Sequence, residues 1–148
     1  MAEFALQRLL EAEGMDATVA VMSAGTGRHH VGDPADRRAV EVLNEAGYDA
    51  SSHRAQRFDS AWFADLDLVI ALDRTHAKAL AQLATTEVDR AKIHTLLSFD
   101  RTQDALVDVP DPYFSNRAAF VRTLDMVESA VAGLLHHVVA QQPGRTAK

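Results

Sequence analysis

Leu66-Asp67-Leu68-Val69-Ile70-Ala71-Leu72, followed at once by Asp73, decides the fold class. Apart from Asp67 the run is apolar throughout and of strand length, the pattern of a strand buried on both faces. Asp73 suits a helix N-cap, and the spacing beyond it predicts a helix from about Thr75 to Leu83. Ile93 to Leu97 reads as another buried strand. Helices alternating with strands in this way imply a parallel sheet covered on both faces.

Outward from this unit the alternation continues. Trp62 and Phe63 mark a brief helical turn ahead of the strand. Near the start, Met1, Ala5, Leu9 and Ala12, with Ala2, Leu6 and Leu10 alongside, recur at helical spacing and are stopped by Gly14. No capping residue precedes that helix. Val19-Ala20-Val21-Met22 is a short β-prone run ended by the small residues Ser23 to Gly27, so a strand feeding a turn is expected. Asp33 and Pro34 predict the N-cap and first position of a second helix, with Ala39, Val40 and Leu43 as its inward stripe and Gly47 as its stop. A polar loop leads to Val109-Pro110-Asp111-Pro112-Tyr113-Phe114. Phe120, Leu124, Val127, Val131, Leu134 and Val138 then define a long final helix. The expected architecture is a three-layer α/β domain over residues 1–140, with a flexible tail at 141–148. Such sheets place their ligand at the carboxyl ends of the strands.

Composition narrows the function. The 148 residues carry 15 Lys and Arg against 21 Asp and Glu, and a net charge of −6 opposes binding to nucleic acid. No run approaches the roughly 18 apolar residues of a membrane span, and no signal peptide is visible at the start, so a cytoplasmic location is expected. There are no cysteines, which excludes disulfides, thiolate zinc sites and a cysteine nucleophile within these residues.

Asp111, held between two prolines and followed by two aromatic residues, is the sharpest chemical feature. Its backbone is restricted, so its carboxyl group is aimed, and Tyr113 and Phe114 could wall an aromatic substrate. This arrangement suits a general acid at a leaving-group oxygen; an acidic turn with two rings folded into the core is the plain alternative. Ser23 to Gly27 could present N–H groups to an anion or simply end a strand. The adjacent histidines His29-His30 and His136-His137 point in different directions and have no carboxylate at metal-ligand spacing, so no metal and no cofactor is expected. Asp73-Arg74-Thr75 places a threonine where an aspartyl-nucleophile phosphatase of the haloacid dehalogenase type needs its second Asp. Asp73 therefore reads as a helix cap.

Several segments, in order, resemble the low-molecular-weight protein tyrosine phosphatases, the actinobacterial members especially. They are Met1-Ala2-Glu3 with its helix, Val21 to Thr26, Val31 to Ala39, Ser52-His53-Arg54-Ala55, Leu68 to Asp73 and, most specific, Asp108-Val109-Pro110-Asp111-Pro112-Tyr113. The resemblance runs from residue 1 to about residue 138. It implies hydrolysis of phosphotyrosine through a cysteinyl phosphate. Asp111 would protonate the tyrosyl oxygen and then activate water, Tyr113 and Phe114 would stand at the pocket rim, and His29 and His30 would occupy variable rim positions. Ser23 and His53 would brace the phosphate loop.

The family's catalytic loop, Cys, five residues, Arg, Ser, Pro, has no counterpart in these residues. Nor has the first strand, which lies inside the family's sheet. The expectation is that Met1 is internal to a longer phosphatase, about 10–20 residues of which lie upstream, and that the 148 residues alone are inactive. A positioned acid contributes about 10²–10⁴-fold, against the roughly 10¹⁷-fold or more that phosphate monoester hydrolysis demands. The expected substrate is a phosphotyrosine protein or aryl phosphate. The open sheet would also allow homo-oligomers. Two alternatives remain: a non-catalytic module binding a phosphorylated partner on the same fold, and an arsenate reductase, whose additional cysteines are missing here.

Overall fold

The computed structural model describes residues 1–102 and 108–142. At its centre β1 (Val69–Ala71) pairs in parallel with β2 (Ile93–Thr95), in the register Val69 to Ile93, Ile70 to His94 and Ala71 to Thr95. Because side chains alternate across a strand, the two faces of β1 feed two cores. Val69 and Ala71 are buried with Phe63, Leu80 and Ala84, beneath α3 (Arg74–Leu83) and a 3₁₀ turn at Ser60–Ala64. Leu68 and Ile70 pack on the opposite side against a larger cluster supplied by α1 (Ala2–Ala12), α2 (Arg37–Glu45) and α5 (Arg117–Gln141). Helix, sheet and helix form three layers, as the nearly continuous apolar run predicts.

The larger core carries most of the burial. Leu10, Leu43, Leu96, Leu97, Val127 and Val131 are each 1% exposed or less, and burying each such side chain is worth about 1.5–3 kcal/mol. α5 contributes Phe120, Leu124, Val127, Val131 and Leu134 to it, together with Ala130 and Leu135. Its first turn is capped by Asn116, whose side chain accepts from the Ala119 N–H. At Gly133 the helix comes so close to the turn after β2 that a Cβ would lie 2.0 Å from the Phe99 carbonyl oxygen.

Both glycine stops hold. After α1, Gly14 adopts φ 66°, its N–H bonds the Glu11 carbonyl and the Met15 N–H bonds that of Leu10. This is the Schellman arrangement, with the side chains of Leu10 and Met15 both buried in the same core cluster. Gly47 repeats it after α2 at φ 86°, with the Tyr48 N–H on the Leu43 carbonyl.

The structure departs from the sequence reading in four places. α2 begins at Arg37, capped by the Asp36 side chain, and not at Pro34. Asp33 and Pro34 are held extended instead, the Asp33 carbonyl accepting from Ala55 N–H and Pro34 bridging Arg54. Val19–Met22 alternates in burial as a strand would, Val19 and Val21 half-buried on the core and Ala20 and Met22 exposed, yet forms no ladder among the described residues. A ladder needs a neighbour, and the bonds along this run are of other kinds: the Val19 N–H donates to the Met15 carbonyl and Gln7 donates to that of Val21. The run from Ile93 leaves the sheet after Thr95 for a 3₁₀ turn, Leu96–Phe99, that drives Leu96 and Leu97 into the core. Finally α4 (Glu87–Ala91) was not expected; Thr86 caps it by accepting from Asp89 N–H. Residues 143–148 of the expected tail lie outside the described residues.

Candidate active site

Asp111 stands on a loop, residues 108–115, that is fastened along its length. At the entry, Arg74 grips Asp108 through its guanidinium at 3.1 Å, while its backbone N–H donates to the same carboxylate at 3.0 Å. The Arg74 hydrogen bonds hold the Asp108 carboxyl below the usual carboxylate range. Val109 is buried, and its N–H donates to the Leu72 carbonyl, tying the loop to the carboxyl end of β1. The Thr123 hydroxyl of α5 donates to the Pro110 carbonyl at 3.3 Å. Sequence position alone thus becomes a fixed place at the strand end where such sheets bind ligands.

Asp111 itself is exposed, and one of its oxygens accepts from the Tyr113 N–H at 3.0 Å. This short turn bond sets the side-chain direction, which the flanking prolines alone would leave undetermined. Tyr113 and Phe114 are 47% and 96% exposed and meet edge to face at 4.9 Å. The alternative of two rings folded into the core is therefore excluded: the rings stand in solvent beside the acid.

On the exit side Arg38 lies across the loop. Its guanidinium donates to the Tyr113 carbonyl at 2.8 Å and to that of Ser115 at 3.0 Å, and sits 4.7 Å over the Phe120 ring. Asp36 grips the same guanidinium from behind at 2.8 Å, and the Arg38 bond in turn lowers the Asp36 pKa.

Ser23 and His53, distant in sequence, converge through Glu3. The Ser23 hydroxyl donates to Glu3, whose same oxygen lies 3.7 Å from His53 Nδ1, and His53 meets the Phe4 ring edge at 5.8 Å. Gln56 Nε2 donates to the Ser23 carbonyl at 2.9 Å. This cluster gathers around the first turn of α1. Sequence reading missed Glu3 as its hub; the signal was a carboxylate in the first helical turn with no N-cap to serve. His29 and His30 are exposed, and His30 Nδ1 reaches Asp33 at 3.2 Å. Among the described residues neither bonds to the Asp111 loop. Asp73 caps α3 by accepting from His76 N–H at 2.7 Å, which accounts for it without chemistry.

Among the described residues no group of three or more His, Asp or Glu side chains is arranged to hold a metal ion, and no helix is long and apolar enough to cross a membrane. What the arrangement offers is one aimed carboxylate, an aromatic wall and a braced helix start.

Comparison with known proteins covers most of the chain. Residues 1–143 match the family described as Low molecular weight phosphotyrosine protein phosphatase. A low molecular weight protein-tyrosine-phosphatase of Streptomyces coelicolor is 45% identical over 148 residues, covering 99% of this chain and 90% of that protein. Low molecular weight protein-tyrosine phosphatase A of Mycobacterium tuberculosis is 42% identical over 135 residues, 90% of this chain and 80% of its own. In three dimensions a protein tyrosine phosphatase from Entamoeba histolytica, crystallised with Hepes in its active site, superposes with a TM-score of 0.86 at 27% identity, covering 93% of this chain and 86% of that one.

Proposed function

The chain belongs to the low-molecular-weight phosphotyrosine protein phosphatase family, and from that premise we propose that its 148 residues furnish the proton donor and pocket walls of a phosphotyrosine phosphatase whose thiolate is not among them. The observation that carries this reading is the Asp111 loop, pinned at both ends and carrying two exposed rings. In the reaction a thiolate attacks phosphorus, the bond to the tyrosyl oxygen breaks, and Asp111 gives its proton to that oxygen. The Asp111 carboxylate then takes a proton from the water that attacks the phosphoenzyme, and the sulfur–phosphorus bond breaks. Tyr113 and Phe114 flank the substrate ring, His29 and His30 form an outer rim, and Glu3, Ser23 and His53 steady the loop that cradles the phosphate.

No cysteine occurs in the 148 residues, so they hold no thiolate and by themselves turn over no phosphotyrosine. That same lack supports a second reading, in which the walls bind a phosphorylated partner without cleaving it. One experiment separates the two. The chain is expressed alone and preceded by a strand with a Cys-X5-Arg-Ser-Pro loop, and both are assayed on a phosphotyrosine peptide. Turnover is expected only with the loop, and Asp111→Asn should lower its kcat by about 10²–10⁴-fold. Unchanged kcat in Asp111→Asn would remove Asp111 from the reaction, and no turnover in either form would favour the binding module.

A further inference from the structure

Resting on the reading of Asp111 as the proton donor, we infer that Arg38 is the positioning residue that sets the acid's direction, by clamping the carbonyl side of Tyr113, the residue whose N–H donates to that acid. The chain of contacts is short. Asp111 accepts from Tyr113 N–H at 3.0 Å, and the carbonyl of the same residue accepts from Arg38 at 2.8 Å. A second Arg38 nitrogen reaches the Ser115 carbonyl at 3.0 Å, so one planar fork spans the exit of the loop.

Three observations make this a latch and not a passing surface contact. The guanidinium is itself held by both Asp36 oxygens, at 3.1 and 2.8 Å, while Asp36 caps α2 through the Arg38 N–H at 2.8 Å. Arg38 is thereby anchored at backbone and side chain to a regular element. The guanidinium also lies over Phe120, itself buried in α5, which fixes the plane of the fork. And the opposite end of the loop is gripped independently by Arg74, while Tyr113 to Ser115 is the stretch that, among the described residues, Arg38 alone hydrogen-bonds from another element. A planar guanidinium can satisfy two carbonyls and a carboxylate together; a lysine ammonium cannot span them.

Amide exchange at Tyr113, followed by NMR on the 148-residue chain, tests this without any turnover. Arg38→Gln is expected to speed Tyr113 exchange about tenfold or more, the size of a lost hydrogen bond to a charged group. Arg38→Lys, which keeps the charge but loses the planar fork, should recover only part of it. Arg37→Gln, the neighbouring exposed arginine that pairs with Glu41, should change nothing at Tyr113. Asp111→Ala should speed the same amide in the parent chain yet add nothing in the Arg38→Gln background, a coupling that general destabilisation would not produce. Parent-like Tyr113 exchange in Arg38→Gln, or additive effects of the two substitutions, would overturn the inference. Since no step depends on catalysis, that failure stays distinct from a failure of Asp111 as the acid.

Discussion

Replacing Gly133 by alanine sets two magnitudes of opposite sign against each other. In a solvent-facing helix the change would stabilise by about 0.8–1.0 kcal/mol, because alanine is the better helix former. Here the new Cβ would stand 2.0 Å from the Phe99 oxygen and 2.8 Å from its carbonyl carbon. Carbon–carbon contacts are comfortable near 3.5–4.0 Å, so α5 and the turn after β2 must part by more than about 1 Å. Both contacted atoms are backbone, and no rotamer change can relieve them. The displaced turn carries Leu96 and Leu97, 0% and 1% exposed, in an interior that transmits strain. Overpacking of this kind costs about 1–3 kcal/mol, and the unyielding backbone places it near the upper end. Less the gain in helix propensity, a net loss of about 2 kcal/mol is expected from the two terms together. For a domain of this size that lowers the Tm by about 4–8 °C. Thermal melts of parent and variant at one pH and protein concentration measure it. A variant as stable as the parent, or more so, would refute the close approach and the reasoning built on it.

Further outcomes follow from polar contacts in the same layers. Tyr48 is 9% exposed and its hydroxyl donates to Glu128 at 2.6 Å, so Tyr48→Phe should cost about 1.5–3 kcal/mol in urea unfolding, the scale for a hydrogen bond to a charged group. Burial, then the Glu128 contact, raises the Tyr48 pKa. A raised pKa gives stability that is complete below the unfolded value of about 10 and is lost as pH climbs through the folded one. Tyr48→Phe should therefore flatten the alkaline limb of the stability curve above about pH 10; an unchanged limb would count against the contact. Asp100, 6% exposed, is held below the usual carboxylate range by the Thr102 hydroxyl and N–H and by Ser129. A depressed pKa gives stability present above the unfolded value of about 3.9 and lost as pH falls through the folded one. Thr102→Ala should make the acid limb below about pH 4 shallower, read by fluorescence of the single Trp62 along a pH series.

The elements most legible in the sequence were those whose signal is local. The Leu66–Leu72 run, the Asp73 cap and the stripe from Phe120 to Val138 name their own structures, because burial on both faces or one face leaves a periodicity in the chain. Asp33 misled because Asp and Pro suit a helix start wherever they occur, and only the bonds to Arg54 and Ala55 held that stretch extended. Thr86 and Asp89, spaced as a capping pair, did announce α4, but a helix of five residues leaves too short a stripe to notice. Of the candidate site, Asp111 and its two aromatic neighbours were visible as a motif. Their fastening was not: Arg38 meets Tyr113 and Ser115 across more than seventy residues, and Glu3 meets Ser23 across twenty. Such contacts are created by the packing of α1, α2 and α5 on one sheet and have no signature in local spacing.

The most direct trial of the account is the rate at which the purified 148-residue polypeptide releases phosphate from a phosphotyrosine peptide. On the proposed reading Asp111, beside two exposed rings, supplies a proton but no attacking atom, so release at the level of the buffer blank is the expected result. Steady turnover by that polypeptide, persisting through purification to homogeneity, would contradict the division of labour drawn here between Asp111 and a thiolate from elsewhere.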